Sequence, residues 1–218
     1  MHTFAEYGAT EQAQLLRLVR QNPFALLVSI DGNEPIATHL PVVLPAGTDS
    51  QTLTGQTLWG HMARANQQWQ TLSAERPALL VFTGADAYVS AGLYQQTPAV
   101  PTWNYSAVHV SVRPEIVTDP SQTLDILTAT VRAVEADRAK PWDMTESVDH
   151  FARIAAGVVA FRLHVQEVRA VFKLSQDKPA AIWHRVHDGL ASDPTGTARQ
   201  VAADMAAVRV EGRCGQAK

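Results

Sequence analysis

The chain has a single cysteine, Cys214, set in a glycine-containing polar stretch near the C-terminus. No internal disulfide can staple the fold, no cysteine pair can hold zinc, and a buried thiol nucleophile has little support. Long apolar runs are also missing. Nothing approaches the roughly 20 residues of a transmembrane helix, and the opening Met-His-Thr-Phe-Ala-Glu lacks the basic-then-apolar order of a signal peptide. A cytoplasmic location with no membrane partner is therefore expected. Basic charge is scarce: 18 Lys and Arg against 21 Asp and Glu give a net charge of −3. That balance, without a basic cluster or a helix-turn-helix pattern, does not support direct DNA binding. There is no G-x-S-x-G elbow, no G-x-x-x-x-G-K phosphate loop and no G-x-G-x-x-G dinucleotide turn, which removes the usual signatures of several enzyme classes. Internal repeats and low-complexity tracts are absent.

What is present is the composition of a globular protein, 46% hydrophobic and 18% charged over 218 residues. This length suits one domain, residues 1–218, with a helical C-terminal extension over about 178–210. Thr10 can cap a helix running through residues 11–20, with Leu15, Leu16 and Val19 on one side and Pro23 beyond its stop. Residues 24–30 and 35–43 are apolar runs about an Asp31-Gly32 turn, the pattern of a β-hairpin. A polar loop over 45–50 precedes an expected strand over 52–56, and residues 61–73 have helical character. Strands are expected at 78–82, 87–94, 104–117, 157–165 and 168–172, with a Pro-bounded loop at 97–101. Leu124, Leu127, Val131 and Val134 fall at helical spacing behind Asp119 as cap and Pro120 at the first helical position. Further helices are expected over 180–188 and 198–208. Strands joined by short turns, with helices grouped between and after them, predict an α+β fold on an antiparallel sheet or barrel.

Four segments bear on chemistry. His184 and His187 lie three apart on an expected helix, either a pair of metal ligands or a polar face; no Asp, Glu or third His is placed to join them, which favours the polar face. Thr38 and His39 interrupt an apolar strand, where polar side chains need hydrogen-bond partners or a ligand. Gly-His-Met-Ala-Arg-Ala-Asn at 60–66 groups a His, an Arg and an Asn at an expected strand-to-helix junction, where a guanidinium and helix-start N–H groups can grip a phosphate. Thr-Trp-Asn-Tyr at 102–105 sets aromatics beside an amide, which suits a flat heterocycle needing stacking and edge hydrogen bonds. The last three together suit a phosphorylated planar ligand. Singly, each is also the pattern of a cap, a satisfied core histidine or aromatic packing.

Pro-Ile-Ala-Thr-His-Leu-Pro at 35–41, the 60–66 segment, Ala-Tyr-Val-Ser at 87–90, Pro-Thr-Trp-Asn-Tyr at 101–105, Val-His-Val at 108–110 and Lys-Leu-Ser-Gln at 173–176 occur in that order. Together they resemble the Pai-type family of FMN-binding negative transcriptional regulators, nearly from end to end. The resemblance implies an antiparallel split β-barrel of the pyridoxamine phosphate oxidase type with flanking and C-terminal helices. It also implies a homodimer with two cofactor sites shared across the interface, and a small-molecule ligand as a further partner. On that basis Ala37, Thr38, His39 and Leu40 would run beneath the isoalloxazine. His61, Ala63 and Arg64 would contact the phosphate and ribityl chain, and Asn66 would supply an orienting amide. Trp103, Asn104, Lys173, Ser175 and Gln176 would wall the flavin or its partner-subunit side. The chain departs from the family pattern at Thr83, Ala85, Asp86, Leu93, Ser111, Val112 and Asp177, around the expected pocket rim, and keeps the implied phosphate contacts. Three functional readings follow: a flavin-binding regulator, an FMN-dependent oxidoreductase acting on a small substrate, and a barrel that takes haem, as related split barrels do.

Overall fold

In the computed structural model the described residues are 5–8, 12–48 and 51–215. Thr10, two residues of the 45–50 loop and the side chain of Cys214 lie outside that description. Six strands form a closed barrel in the order β1-β2-β3-β6-β5-β4: β1 Phe24–Asp31, β2 Glu34–Val43, β3 Thr57–Ala63, β4 Ala78–Val89, β5 Thr102–Val117 and β6 Val158–Lys173. The sheet is antiparallel and the fold α+β, as the sequence implies. Among the described residues five α-helices accompany it: α1 Gln12–Gln21, α2 Pro120–Glu135, α3 Val148–Ile154, α4 Ala180–Ala191 and α5 Gly196–Gly215. Among the described residues no helix is long and apolar enough to cross a membrane.

The chain divides into two compact units, one of residues 15–82 with 108–168, the other of 1–14, 83–107 and 169–218. In the first, the β1–β2 hairpin turns on Gly32, whose φ of 59° is strained for any residue with a side chain. The pairs Ala25↔Leu40 and Leu27↔Thr38 share the inner face, where Leu27, Val42, Leu58, Leu80, Phe82, Phe161 and Leu163 are fully buried. Gly60 completes that face on β3. A Cβ there would lie 2.7 Å from the Phe161 ring and 3.3 Å from the Pro41 carbonyl oxygen, so only glycine lets the ring cross.

Asp119 caps α2 by accepting from the Ser121 and Gln122 N–H groups, and Pro120 opens the helix, as read from the sequence. The four residues whose spacing marks this helix are half-buried or, for Val134, 41% exposed. Ile126 is buried instead, with Thr123, Thr128 and Thr130, whose hydroxyls donate to carbonyls three or four residues back and so tolerate burial.

Several expected boundaries move. Residues 52–56 form a turn around fully buried Leu53, and the strand begins at Thr57, so His61 lies in a strand and not in a helix. Only Gln67–Thr71 is helical within 61–73, as a short 3₁₀ turn. The expected strand 78–82 and the first half of 87–94 belong to one strand, β4, which ends at Val89, and the rest of 87–94 is a 3₁₀ turn at Ala91–Tyr94; 157–165 and 168–172 merge likewise into one strand, β6, from Val158. The polar, exposed stretches around Thr83 and Asp86 and around Gln166 and Glu167 look like breaks in the sequence, but a backbone ladder does not require apolar side chains.

In the second unit, α4 and α5 bury Trp183, Val186, Leu190, Val201 and Met205. Arg185 donates to the carbonyls of Leu93 and Tyr94, and Leu93 packs so closely on α4 that a Cβ at Gly189 would meet its Cδ2 at 2.7 Å. The family departure at Leu93 thus has a packing partner in Gly189.

Candidate functional site

Strand alternation divides the 37–40 motif. Thr38 and Leu40 take the inner face of β2, while Ala37 and His39 are exposed on the other. The His39 ring stacks on Phe24 with centroids 5.7 Å apart. On β3, Leu58, Gly60 and Met62 point inward, which leaves His61 and Ala63 on the opposite face. His61 Nδ1 is sealed from solvent with no hydrogen-bond partner among the described residues, and burial lowers the imidazole pKa, which favours the neutral ring at pH 7.

Beyond β3 the chain is pinned at Arg64. Its N–H donates to Gly157 O at 2.8 Å, Nε to Ala156 O at 2.8 Å and Nη2 to Val158 O at 2.9 Å. The Trp69 indole lies 6.0 Å from the guanidinium and donates back to the Arg64 carbonyl. Nη1 is the guanidinium nitrogen without a protein partner among the described residues. Asn66 caps the 67–71 turn through Oδ1 and donates from Nδ2 to Thr38 Oγ1 at 2.9 Å, joining two of the sequence-nominated residues. Gln68, which sequence reasoning passed over, is buried beneath them. Its Nε2 reaches Leu27 O, Ser29 Oγ and Ile36 O, while Oε1 is buried with no partner among the described residues. The only hint in the sequence is its place two residues after a capping Asn.

The second unit holds the remaining nominated residues. Trp103 and Asn104 are neighbours on β5 and face opposite ways. Trp103 is 53% exposed, edge-on to Tyr88, whereas Asn104 is fully buried and exchanges hydrogen bonds with Ser175 at 3.0 and 3.1 Å. Ser175 sits at φ 60°, in the left-handed region. Gln176 is committed to backbone: Oε1 accepts from Leu174 N–H, and Nε2 donates to Glu6 O and Phe172 O. Lys173 Nζ donates to Thr102 Oγ1 at 2.5 Å and lies over the Tyr7 ring. Asn104, Lys173 and Ser175 line a cavity of about 310 Å³ together with Tyr7, Tyr94 and Asp177. The Tyr7 phenol is pushed up to about 12 by burial first and then by Asp177, which accepts its hydrogen bond. Tyr7 lies in a segment without a recognisable motif and was not accessible to sequence reasoning, whereas Tyr94 follows the family departure at Leu93 but was not read as a site residue.

His187 stacks on Trp183 at 5.0 Å and bonds Asp188, and His184 lies edge-on to the same indole at 5.1 Å. Among the described residues no cluster of three or more His, Cys, Asp or Glu could hold a metal.

Residues 1–167 match the family model FMN_bind_2, described as "Putative FMN-binding domain". The chain is 30% identical over 198 residues to the protease synthase and sporulation protein PAI 2 of Bacillus subtilis, covering 90% of this chain and 92% of that protein. Among solved structures, the FAD and haem binding protein of Mycobacterium smegmatis aligns with a TM-score of 0.54 at 16% identity, over 77% of this chain and 73% of that one. The flavocytochrome Anf3 of Azotobacter vinelandii aligns with a TM-score of 0.54 at 14% identity, over 79% and 72%. These two likenesses establish the fold.

Proposed function

We propose that this chain, which belongs to the FMN_bind_2 family of FMN-binding domains, binds FMN through the 37–40 and 61–66 segments and works as a homodimer. The observation that carries the reading is the orphaned His61 Nδ1. A buried imidazole nitrogen without a partner costs free energy that a ligand hydrogen bond would recover, and this one stands three residues before an arginine with an open Nη1. Neutral His61 would bond the ribityl or phosphate end without adding charge, and Arg64 Nη1 would supply a charged donor to the phosphate. The exposed Ala37 and His39 would flank the ring system, with Thr38 on the opposite face fixing Asn66. Trp103, Lys173 and the Asn104–Ser175 pair would be contributed by a second copy. FMN, when bound, supplies hydride or electron transfer at its isoalloxazine; the residues named here bind it, orient it and limit its contact with water.

Denaturing the purified protein and identifying the released chromophore tests the reading. FMN supports it, while a Soret band or the absence of any flavin uptake on titration refutes it. Sedimentation with and without FMN tests the assembly: the cofactor should stabilise the dimer by mass action, and a monomer binding FMN one-to-one would exclude shared sites. The likeness to PAI 2 favours a second reading, regulation of gene expression. A gel-shift titration at two salt concentrations addresses it, since true phosphate contacts weaken steeply with salt.

A further inference from the structure

Within the unit of residues 15–82 and 108–168 lies a second cleft, of about 520 Å³, that shares no residue with the segments assigned to FMN. Its walls are apolar: Val19 from α1, Val42 and Val43 at the end of β2, Trp59 from β3, and Ala129 and Ala133 from α2. Trp59 also packs against buried Val117, Ile126 and Ala160, so that wall is fixed by the core. Four charged residues line the same cleft, Arg20, Arg132, Asp125 and Asp137, and among the described residues none pairs with another. Two guanidiniums that form no ion pair among the described residues, beside an apolar chamber of small-molecule size, make a specific combination.

We propose that this cleft binds a small amphipathic monocarboxylate, with its aliphatic or aryl body against Val43, Trp59 and Ala133 and its carboxylate on Arg20 and Arg132. A guanidinium matches a carboxylate in planar, two-pronged geometry. Asp125 and Asp137 bring the formal charge of the lining to zero, which penalises a polyanion such as a nucleotide and leaves a single negative charge as the preferred head group. The site stands on residues independent of those proposed for the flavin.

Calorimetric titration of octanoate into the full chain, with and without saturating FMN, tests the proposal, with octanol and octylammonium as controls. Octanoate should bind one-to-one and at least about tenfold more tightly than either control, the difference expected of a charge-assisted hydrogen bond. FMN should leave its affinity unchanged. Arg132→Gln should weaken octanoate about tenfold and remove its advantage over octanol, and Ala133→Trp should abolish binding by filling the cleft. Equal affinity for octanoate and octanol, tighter binding of octylammonium, an unaffected Arg132→Gln variant, or full binding by folded Ala133→Trp would each overturn the proposal. If Ala133→Trp fails to fold, Arg132→Gln decides the outcome, since it alters an exposed side chain. Competition between octanoate and FMN would move the octanoate site to the flavin segments and overturn it too.

Discussion

Arg64→Ala separates the role that the geometry shows for this side chain from the phosphate contact proposed for it. Nε and Nη2 bond the carbonyls of Ala156 and Val158 at 2.8 and 2.9 Å, tying the end of β3 to the start of β6, while Nη1 is open. The two backbone bonds are exposed, so their loss should cost about 1–2 kcal/mol, well below the roughly 3–6 kcal/mol that two charge-assisted bonds shielded from water would carry. For a chain of this size that lowers the melting temperature by about 2–8 °C. Loss of one charge-assisted bond from Nη1 to a phosphate should cost about 1.5–3 kcal/mol in affinity, on the order of tenfold to a hundredfold for FMN. Riboflavin, lacking the phosphate, should bind wild type and variant alike. Arg64→Lys resolves the two effects further. An ammonium keeps the charge but cannot fork across two carbonyls, so it should lose most of the thermal stability and retain part of the FMN affinity. The assay is calorimetric titration of both ligands alongside thermal melts of all three proteins. Equal loss for FMN and riboflavin, or intact FMN binding in a variant whose melting temperature has fallen, would refute the phosphate contact and leave Arg64 as a staple between strands.

Gly60→Ala should lower the chemical-denaturation midpoint by about 1–3 kcal/mol equivalent, because the added Cβ would meet the Phe161 ring at 2.7 Å with the Pro41 carbonyl behind it; an unchanged midpoint would show that the ring can move aside. Asn104→Ala should cost about 1–3 kcal/mol in the same assay, since it strands the buried Ser175 hydroxyl. His61 sets a pH dependence. Its folded pKa is lowered below 6.5, so between those values the unfolded chain holds a proton that the native chain does not, and stability falls as pH drops through that window. His61→Phe should flatten the change between pH 7.5 and 5.5 in urea unfolding, and a slope identical to wild type would show that His61 is protonated equally in both states.

The hairpin at 24–43 and the start of α2 were legible because each is written in local chemistry: a glycine where φ must be positive, and an Asp-Pro pair where a helix needs a cap and a free first position. What escaped was set by distant residues. Leu58, Gly60 and Met62 alternate inward on β3, yet Gly60 reads as punctuation until Phe161, a hundred residues on, is seen to occupy its side-chain space. The polar middles of β4 and β6 read as turns because the ladder that spans them is invisible in side-chain pattern. On α2 the leucine spacing revealed the helix but not its buried face, since threonines satisfied by their own backbone took that place.

The same period of two limits what a sequence motif can say about a site. A contiguous match at 37–40 suggests four neighbours on one ligand, but a strand sends Ala37 and His39 to one side and Thr38 and Leu40 to the other. In the proposed reading, side-chain contact with a flavin on the outer face would therefore fall to Ala37 and His39. Thr38 acts through Asn66, the amide that caps the 67–71 turn behind Arg64. The division has a consequence in chemistry. Removing the Thr38 hydroxyl should disturb the Asn66 cap and the placement of Arg64 without deleting a ligand contact, whereas changes at His39, which leans on the exposed Phe24 ring, alter only the surface that a ring system would meet. Likewise Trp103 presents an open aromatic face and Asn104, beside it in sequence, is spent on Ser175. The motif is conveyed by the chain, but which half of it would meet the proposed cofactor is decided by the pleat.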